Sequence, residues 1–190
     1  MNKNRLEAFS DGVLAIIITI MVLEFKIPKT ASFLALKPLL PIFLSYILSF
    51  IYVGIYWNNH HHMMHTVKKV NGKILWANLH LLFWLSLIPF ATAWIGEHHF
   101  APFPMLIYGF ILLFCAIAYT ILQLQIIKKH GDDSELSKAI GKDYKGKASL
   151  ILYVIAILST YYHEAFSAVI YSLVALMWLV PDKRIEKLFD

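Results

Sequence analysis

Two arginines, one cysteine and few charges of either sign are the first features of this 190-residue chain. Cys115 has no second cysteine to pair with, which excludes an internal disulfide scaffold. It equally excludes a zinc or iron–sulfur site built on several cysteines. Asp, Glu, Lys and Arg supply 15% of the residues, whereas a soluble domain carries roughly a quarter. The apolar set supplies 59%, far too much for a disordered chain. The net charge of +5 comes from lysines in short segments between apolar runs. That arrangement fits membrane loops and gives no basic face for nucleic acid. Within the runs, ionisable groups are scarce. Asp11, Glu24 and His80 lie towards run ends, and no carboxylate lies at a midplane. A proton-coupled pump places carboxylates there. A Thr-Val-Gly-Tyr-Gly filter is absent. With only Arg5 and Arg184, no arginine series exists to sense voltage.

What is present is a set of six stretches free of Asp, Glu, Lys and Arg: 12–23, 38–59, 74–96, 101–127, 148–163 and 165–181. A bilayer core of about 30 Å needs about 20 helical residues. The first stretch is short, so its helix is expected to run back through Phe9, Ser10 and Asp11 and forward to Phe25. The expected fold class is all-α: a multi-pass membrane protein of six transmembrane helices, forming a single domain over residues 1–190. Lys3 and Arg5 before an apolar run resemble a signal peptide, but no small-residue cleavage pattern follows, and a retained first helix is expected. Pro102 and Pro104 open the fourth span, Pro89 kinks the third and Pro181 closes the sixth. Residues 134–140 are expected to form a short surface helix.

Orientation follows from the loop cations. Lys3, Arg5, Lys68, Lys69, Lys73, the six lysines from Lys128 to Lys147, Lys183, Arg184 and Lys187 fall on one side. Lys26, Lys29 and Lys37 fall on the other. Both termini are therefore expected in the cytoplasm, with the protein in the cell membrane and in contact with its lipid.

The opening of helix one is unusual. Asn4 and Glu7 have the spacing of a capping box, which sets the helix start near Asn4. Glu7 and Asp11 share a face as a like-charge pair. Arg5 and Asp11 are about 240° apart around the wheel and do not pair within one helix. Each needs a partner elsewhere, or lies at the headgroup level. Ile16, Thr19, Ile20 and Leu23 form one stripe. Periodicity alone leaves lipid, protein and pore open as what that stripe faces.

The run from Arg5 through Phe9, Ser10 and Asp11 to Thr19 resembles the Arg-x-x-x-Phe-Ser-Asp signature of the transmembrane protein 175 family of potassium channels. That family includes endosomal and lysosomal channels and short prokaryotic homologues. Weaker echoes are Trp57 to His60 at the end of helix two, and Asn78 with Pro89 in helix three. The resemblance implies a homotetramer around a central pore lined by helix one. It places the hydrophobic gate at Ile16, Ile20 and Leu23, with Thr19 offering a hydroxyl to the ion path. Arg5, Phe9, Ser10 and Asp11 would hold helix one against its neighbours, with Trp57, His60, Asn78 and His80 as network partners. His62 departs from the commoner prokaryotic pattern, in which a basic residue often follows the histidines. The expected function is passive, potassium-permeable cation conduction with modest selectivity over sodium. Potassium and other monovalent cations are the permeant partners, with no cofactor and no enzymatic activity.

The run His60-His61-His62-Met63-Met64-His65 offers a rival reading. His61 and His65 are four apart, a valid ligand spacing. No Asp, Glu or Cys lies within the run, so no metal site is assigned and the two histidines stand as bare candidates. The alternatives to a channel are a histidine-dependent membrane metalloprotein or enzyme, and a proton-permeable or solute-exporting protein.

Overall fold

The computed structural model describes residues 2–179. It is helical throughout, with no strand among the described residues. α1 spans Lys3–Leu23, a 3-10 segment covers Phe33–Leu39, and α2 spans Leu40–His65. α3 (Gly72–Ser86), α4 (Ile88–Glu97) and α5 (Pro102–His130) follow. The chain then forms α6 (Glu135–Ile140), α7 (Tyr144–Ser159) and α8 (Glu164–Leu179). By length and composition α1, the stretch Phe33–His65, the pair Gly72–Glu97 and α5 are each able to cross a membrane. α8 is apolar but shorter. Pro181 and the basic tail with Lys183, Arg184 and Lys187 lie outside the described residues.

Local chemistry sets the boundaries. Asn2, not Asn4, caps α1: its side chain accepts from the Asn4 amide at 3.3 Å. The helix stops at Leu23, two residues before Phe25, where Glu24 turns the chain. Pro89 lacks an amide hydrogen and its ring crowds the carbonyl four residues earlier. The third span therefore breaks at Leu87 into α3 and α4. Pro102 opens α5, where the amide would be unpaired anyway. Ser134 caps α6, and Asp143 caps α7 by accepting from the Gly146 amide at 3.1 Å.

α1 rests on α2, α3 and α4, whereas α5 packs against α3, α4, α7 and α8. Between α2, α4, α5 and α8 the buried hydroxyls satisfy one another. Thr92, Ser49 and Tyr108 form a line at 2.6 and 2.9 Å that ends on the Ile88 carbonyl. Tyr52 donates to the Tyr171 carbonyl at 2.6 Å, and Tyr171 donates to that of Met105 at 3.1 Å. In lipid such groups must find partners inside the protein. Cys115 is fully buried among apolar neighbours. Outside the bundle, Lys26 pairs with Glu97. That hydrogen bond, and then the carboxylate charge, hold the Lys26 ammonium above the usual lysine pKa.

Two glycines permit close helix approach. A Cβ on Gly96 would lie 2.7 Å from the Ile42 Cα, and one on Gly109 would lie 2.0 Å from the Tyr171 hydroxyl. Nothing lies within 4 Å of a Cβ placed on Gly54. Alanine gains about 1 kcal/mol of helix propensity over glycine, and overpacking costs about 1–3 kcal/mol. At Gly96 the clash is with backbone, so the cost wins. We expect Gly96→Ala to lower the melting temperature in detergent and Gly54→Ala to leave it level or raise it. Equal melting of the two variants would overturn this account.

Candidate functional site

α1 has three faces with different fates. Leu6, Ser10, Leu14, Ile17 and Met21 are buried against the rest of the chain. Roughly 120° away, by helix geometry, Phe9 (52% exposed), Ile16 (58%), Ile20 (42%) and Leu23 (78%) lie open. Arg5 and Thr19 share that open face, and both are exposed. The Thr19 hydroxyl donates to the Ile16 carbonyl at 2.9 Å, which leaves its oxygen free to accept a cation. Beside the stripe an open, mostly apolar cleft of ≈ 780 Å³ separates Ile16, Ile17 and Ile20 from Pro89, Phe90 and Trp94. The third face carries Glu7 and Asp11 towards α2.

The structure brings Ser10, Asn78 and His60 together. His60 Nε2 lies 2.7 Å from Asn78 Oδ1, and Asn78 Nδ2 donates to the Ser10 hydroxyl at 2.9 Å. Ser10 then donates to the Leu6 carbonyl at 2.9 Å. All three side chains are buried. Because the amide nitrogen faces Ser10, the amide oxygen must accept, which assigns the proton to His60 Nε2. His60 Nδ1 is then a bare acceptor with no hydrogen-bond partner among the described residues.

A second, more exposed tie runs in parallel. Trp57 Nε1 donates to Asp11 Oδ1 at 3.1 Å, and the Trp57 ring stacks on His61 at 6.2 Å. His61 Nδ1 lies 3.1 Å from Glu7 Oε1, and His61 Nε2 lies 3.1 Å from His65 Nε2. Asp11 thus finds its partner on α2. The Arg5 side chain makes no hydrogen bond or ion pair among the described residues; its amide donates to the Asn2 carbonyl at 3.2 Å. His80 turns away from the Ser10 network and accepts from Trp84 Nε1 at 2.9 Å. Glu7, whose spacing marks it as a capping-box partner of Asn4 and a like-charge neighbour of Asp11, instead meets His61. Its proximity to His61 depends on how α1 crosses α2, which spacing within one helix does not encode.

The family described as endosomal/lysosomal potassium channel TMEM175 matches residues 5–89 of this chain. A potassium channel of Chryseobacterium sp. (strain P1-3) is 62% identical over 187 residues, covering 98% of this chain and 97% of its own length. A potassium channel of Chamaesiphon minutus is 32% identical over 168 residues, covering 80% and 82%. The crystal structure of a lysosomal potassium-selective channel TMEM175 homolog from Chamaesiphon minutus superposes with a TM-score of 0.83 at 28% identity, covering 95% of this chain and 97% of that one.

Asn78 satisfies two buried partners at once. A buried polar group left unpaired costs about 1–3 kcal/mol, so Asn78→Leu should destabilise the fold by about that amount. A thermal melt in detergent checks it, with the exposed substitution Leu79→Ala as reference. An Asn78→Leu melt equal to the reference would remove the tie from the account.

Proposed function

The chain belongs to the TMEM175 potassium-channel family, and on that premise we propose that four copies assemble around a pore lined by α1. The function is that of a potassium channel, and the family is one of ion channels, not of enzymes. The protein is a multi-pass membrane protein whose permeant ion is potassium. Our reading counts six crossings, with α3 and α4 as one kinked span and α7 and α8 as the last two. It forms one channel domain over residues 1–190 and places both termini in the cytoplasm of the cell. Monovalent cations and membrane lipid are its partners.

The observation that carries the reading is the open face of α1. In lipid an exposed apolar stripe needs no partner, so Ile16, Ile20 and Leu23 alone would mean little. Arg5 and Thr19 on the same face change that. A guanidinium facing hydrocarbon without a partner is costly. It must meet headgroups, water or another subunit, and in our reading a pore with subunit contacts at its rim supplies the last two. The cleft between α1 and α4 then receives the neighbouring subunit. Ile16, Ile20 and Leu23, repeated four times, form a constriction that closes by excluding water. Thr19 presents its hydroxyl between them. Ser10, Asp11, Trp57, Asn78 and His60 hold α1 from behind, Phe9 packs at the interface, and His80 steadies α3 through Trp84. A constriction of this kind has no fixed ring of oxygens, so potassium-over-sodium selectivity is modest.

Potassium and sodium flux into liposomes tests this, comparing the wild type with Ile16→Asn and Ile20→Asn. An amide at the constriction should wet it, raising cation flux several-fold or shifting selectivity. Unchanged flux and selectivity in both variants, with folded protein shown by gel filtration, would place the gate elsewhere. Proton flux surviving the loss of potassium flux would favour a proton-permeable protein instead.

A further inference from the structure

We infer that Glu7, His61 and His65 form a binding site for a divalent transition-metal ion of the zinc type, joining the first turns of α1 to the last turn of α2. Among the described residues this is the one cluster of three His, Cys, Asp or Glu side chains whose ligand atoms converge, each within 4.8 Å of the others. It uses donors from two helices that meet only in the folded chain.

The donor set suits the metal. Two imidazoles four residues apart on one helix present their nitrogens to one side. Imidazole favours zinc and its neighbours over magnesium or calcium, which prefer oxygen. Glu7 brings the negative charge that two neutral histidines lack. Zinc bonds of about 2.0–2.1 Å in a tetrahedron set donors roughly 3.3 Å apart. The Glu7–His61 and His61–His65 separations are each 3.1 Å. These two contacts use different nitrogens of His61, and only one can bind a given ion. The side chains must therefore close by about 1.5 Å at most from the 4.8 Å spread. Their exposure permits that adjustment: Glu7 and His61 are half-buried, and His65 is open to solvent. The fourth position is left to water, as in zinc sites with three protein ligands.

The surroundings fix one ligand and temper the affinity. Trp57 stacks on the His61 ring with planes 22° apart and is itself held by Asp11. The stacked ring limits rotation of the His61 imidazole. Lys3 places its ammonium 3.2 Å from the His65 carbonyl, a nearby positive charge that weakens cation binding. His60 and His62 flank His61 in sequence. His60 is turned inward to Asn78.

Zinc binding to full-length protein in detergent, with any polyhistidine tag removed, tests the site by equilibrium dialysis without reference to ion flux. The wild type should bind one Zn²⁺ per chain and melt at higher temperature in its presence. Losing an outer-shell partner already costs 10–100-fold in metal affinity, so Glu7→Gln and His65→Ala should each weaken binding by about tenfold or more. His98→Ala should bind as the wild type does, and excess Mg²⁺ should not compete. Full-strength binding in both Glu7→Gln and His65→Ala, each eluting as folded protein, would overturn the site. So would an absence of zinc binding by folded wild type, or equal loss in His98→Ala. Because no outcome depends on potassium flux, the site and the channel reading fail separately.

Discussion

A polar group buried in a lipid-facing bundle must be answered from within the protein, and in this chain that demand is met at Asn78. One side chain accepts from α2 and donates to α1, so three helices share two hydrogen bonds at 2.7 and 2.9 Å. Remove it and His60 loses its hydrogen bond, while Ser10 keeps only its bond to the Leu6 carbonyl. The requirement explains why a serine lies on the buried face of α1 among Leu6, Leu14, Ile17 and Met21, and why a histidine is buried rather than exposed. It also sets the rotation of α1. With Ser10 fixed inward, Leu14, Ile17 and Met21 must follow it into the core. Arg5, Phe9, Ile16, Ile20 and Leu23 are left outside.

The rotation separates the faces of α1 that periodicity left equivalent. A stripe of isoleucines has the same spacing whether it faces lipid, protein or water. The polar residues on the same helix supply the missing phase. Ser10 marks the inward face, Glu7 and Asp11 mark the α2 side, and Arg5 with Thr19 marks the open side. The family membership agrees with this division, because the Arg-x-x-x-Phe-Ser-Asp run lies at the residues that fix the phase.

Much of the architecture was legible in the sequence for local reasons. The Pro89 break, the start of α5 at Pro102 and the short helix after Ser134 follow from a missing amide or a capping hydroxyl. The start of α1 was misplaced because Asn2 and Asn4 are both competent caps, and a cap–Glu spacing favoured the second. The end of the same helix was set two residues too far, since nothing polar separates Leu23 from Phe25 except Glu24. The contacts of His60, Asn78 and Trp57 were suggested by family resemblance. The turning of His80 to Trp84 and the approach of Glu7 to His61 were legible in neither way. The second depends on the angle at which α1 crosses α2, which is settled by glycines and side-chain volumes distributed over the whole bundle, whereas the first joins two residues four apart on α3.

The polar attachments of α1 are gathered at one end. Glu7, Ser10 and Asp11 are bonded to α2 and α3, whereas Ile17 and Met21 are held by apolar contact alone. Mechanically this makes α1 a lever with its fulcrum near Ser10. Thirteen residues of rise put Leu23 roughly 20 Å from that fulcrum. A tilt of about 10° then swings Leu23 by roughly 3 Å and Ile16 by roughly half as much. Such a swing leaves the hydrogen bonds near Ser10 in place and slides mostly apolar surface over apolar surface, with the exposed Lys26–Glu97 pair beyond Leu23 shifting or parting as it moves.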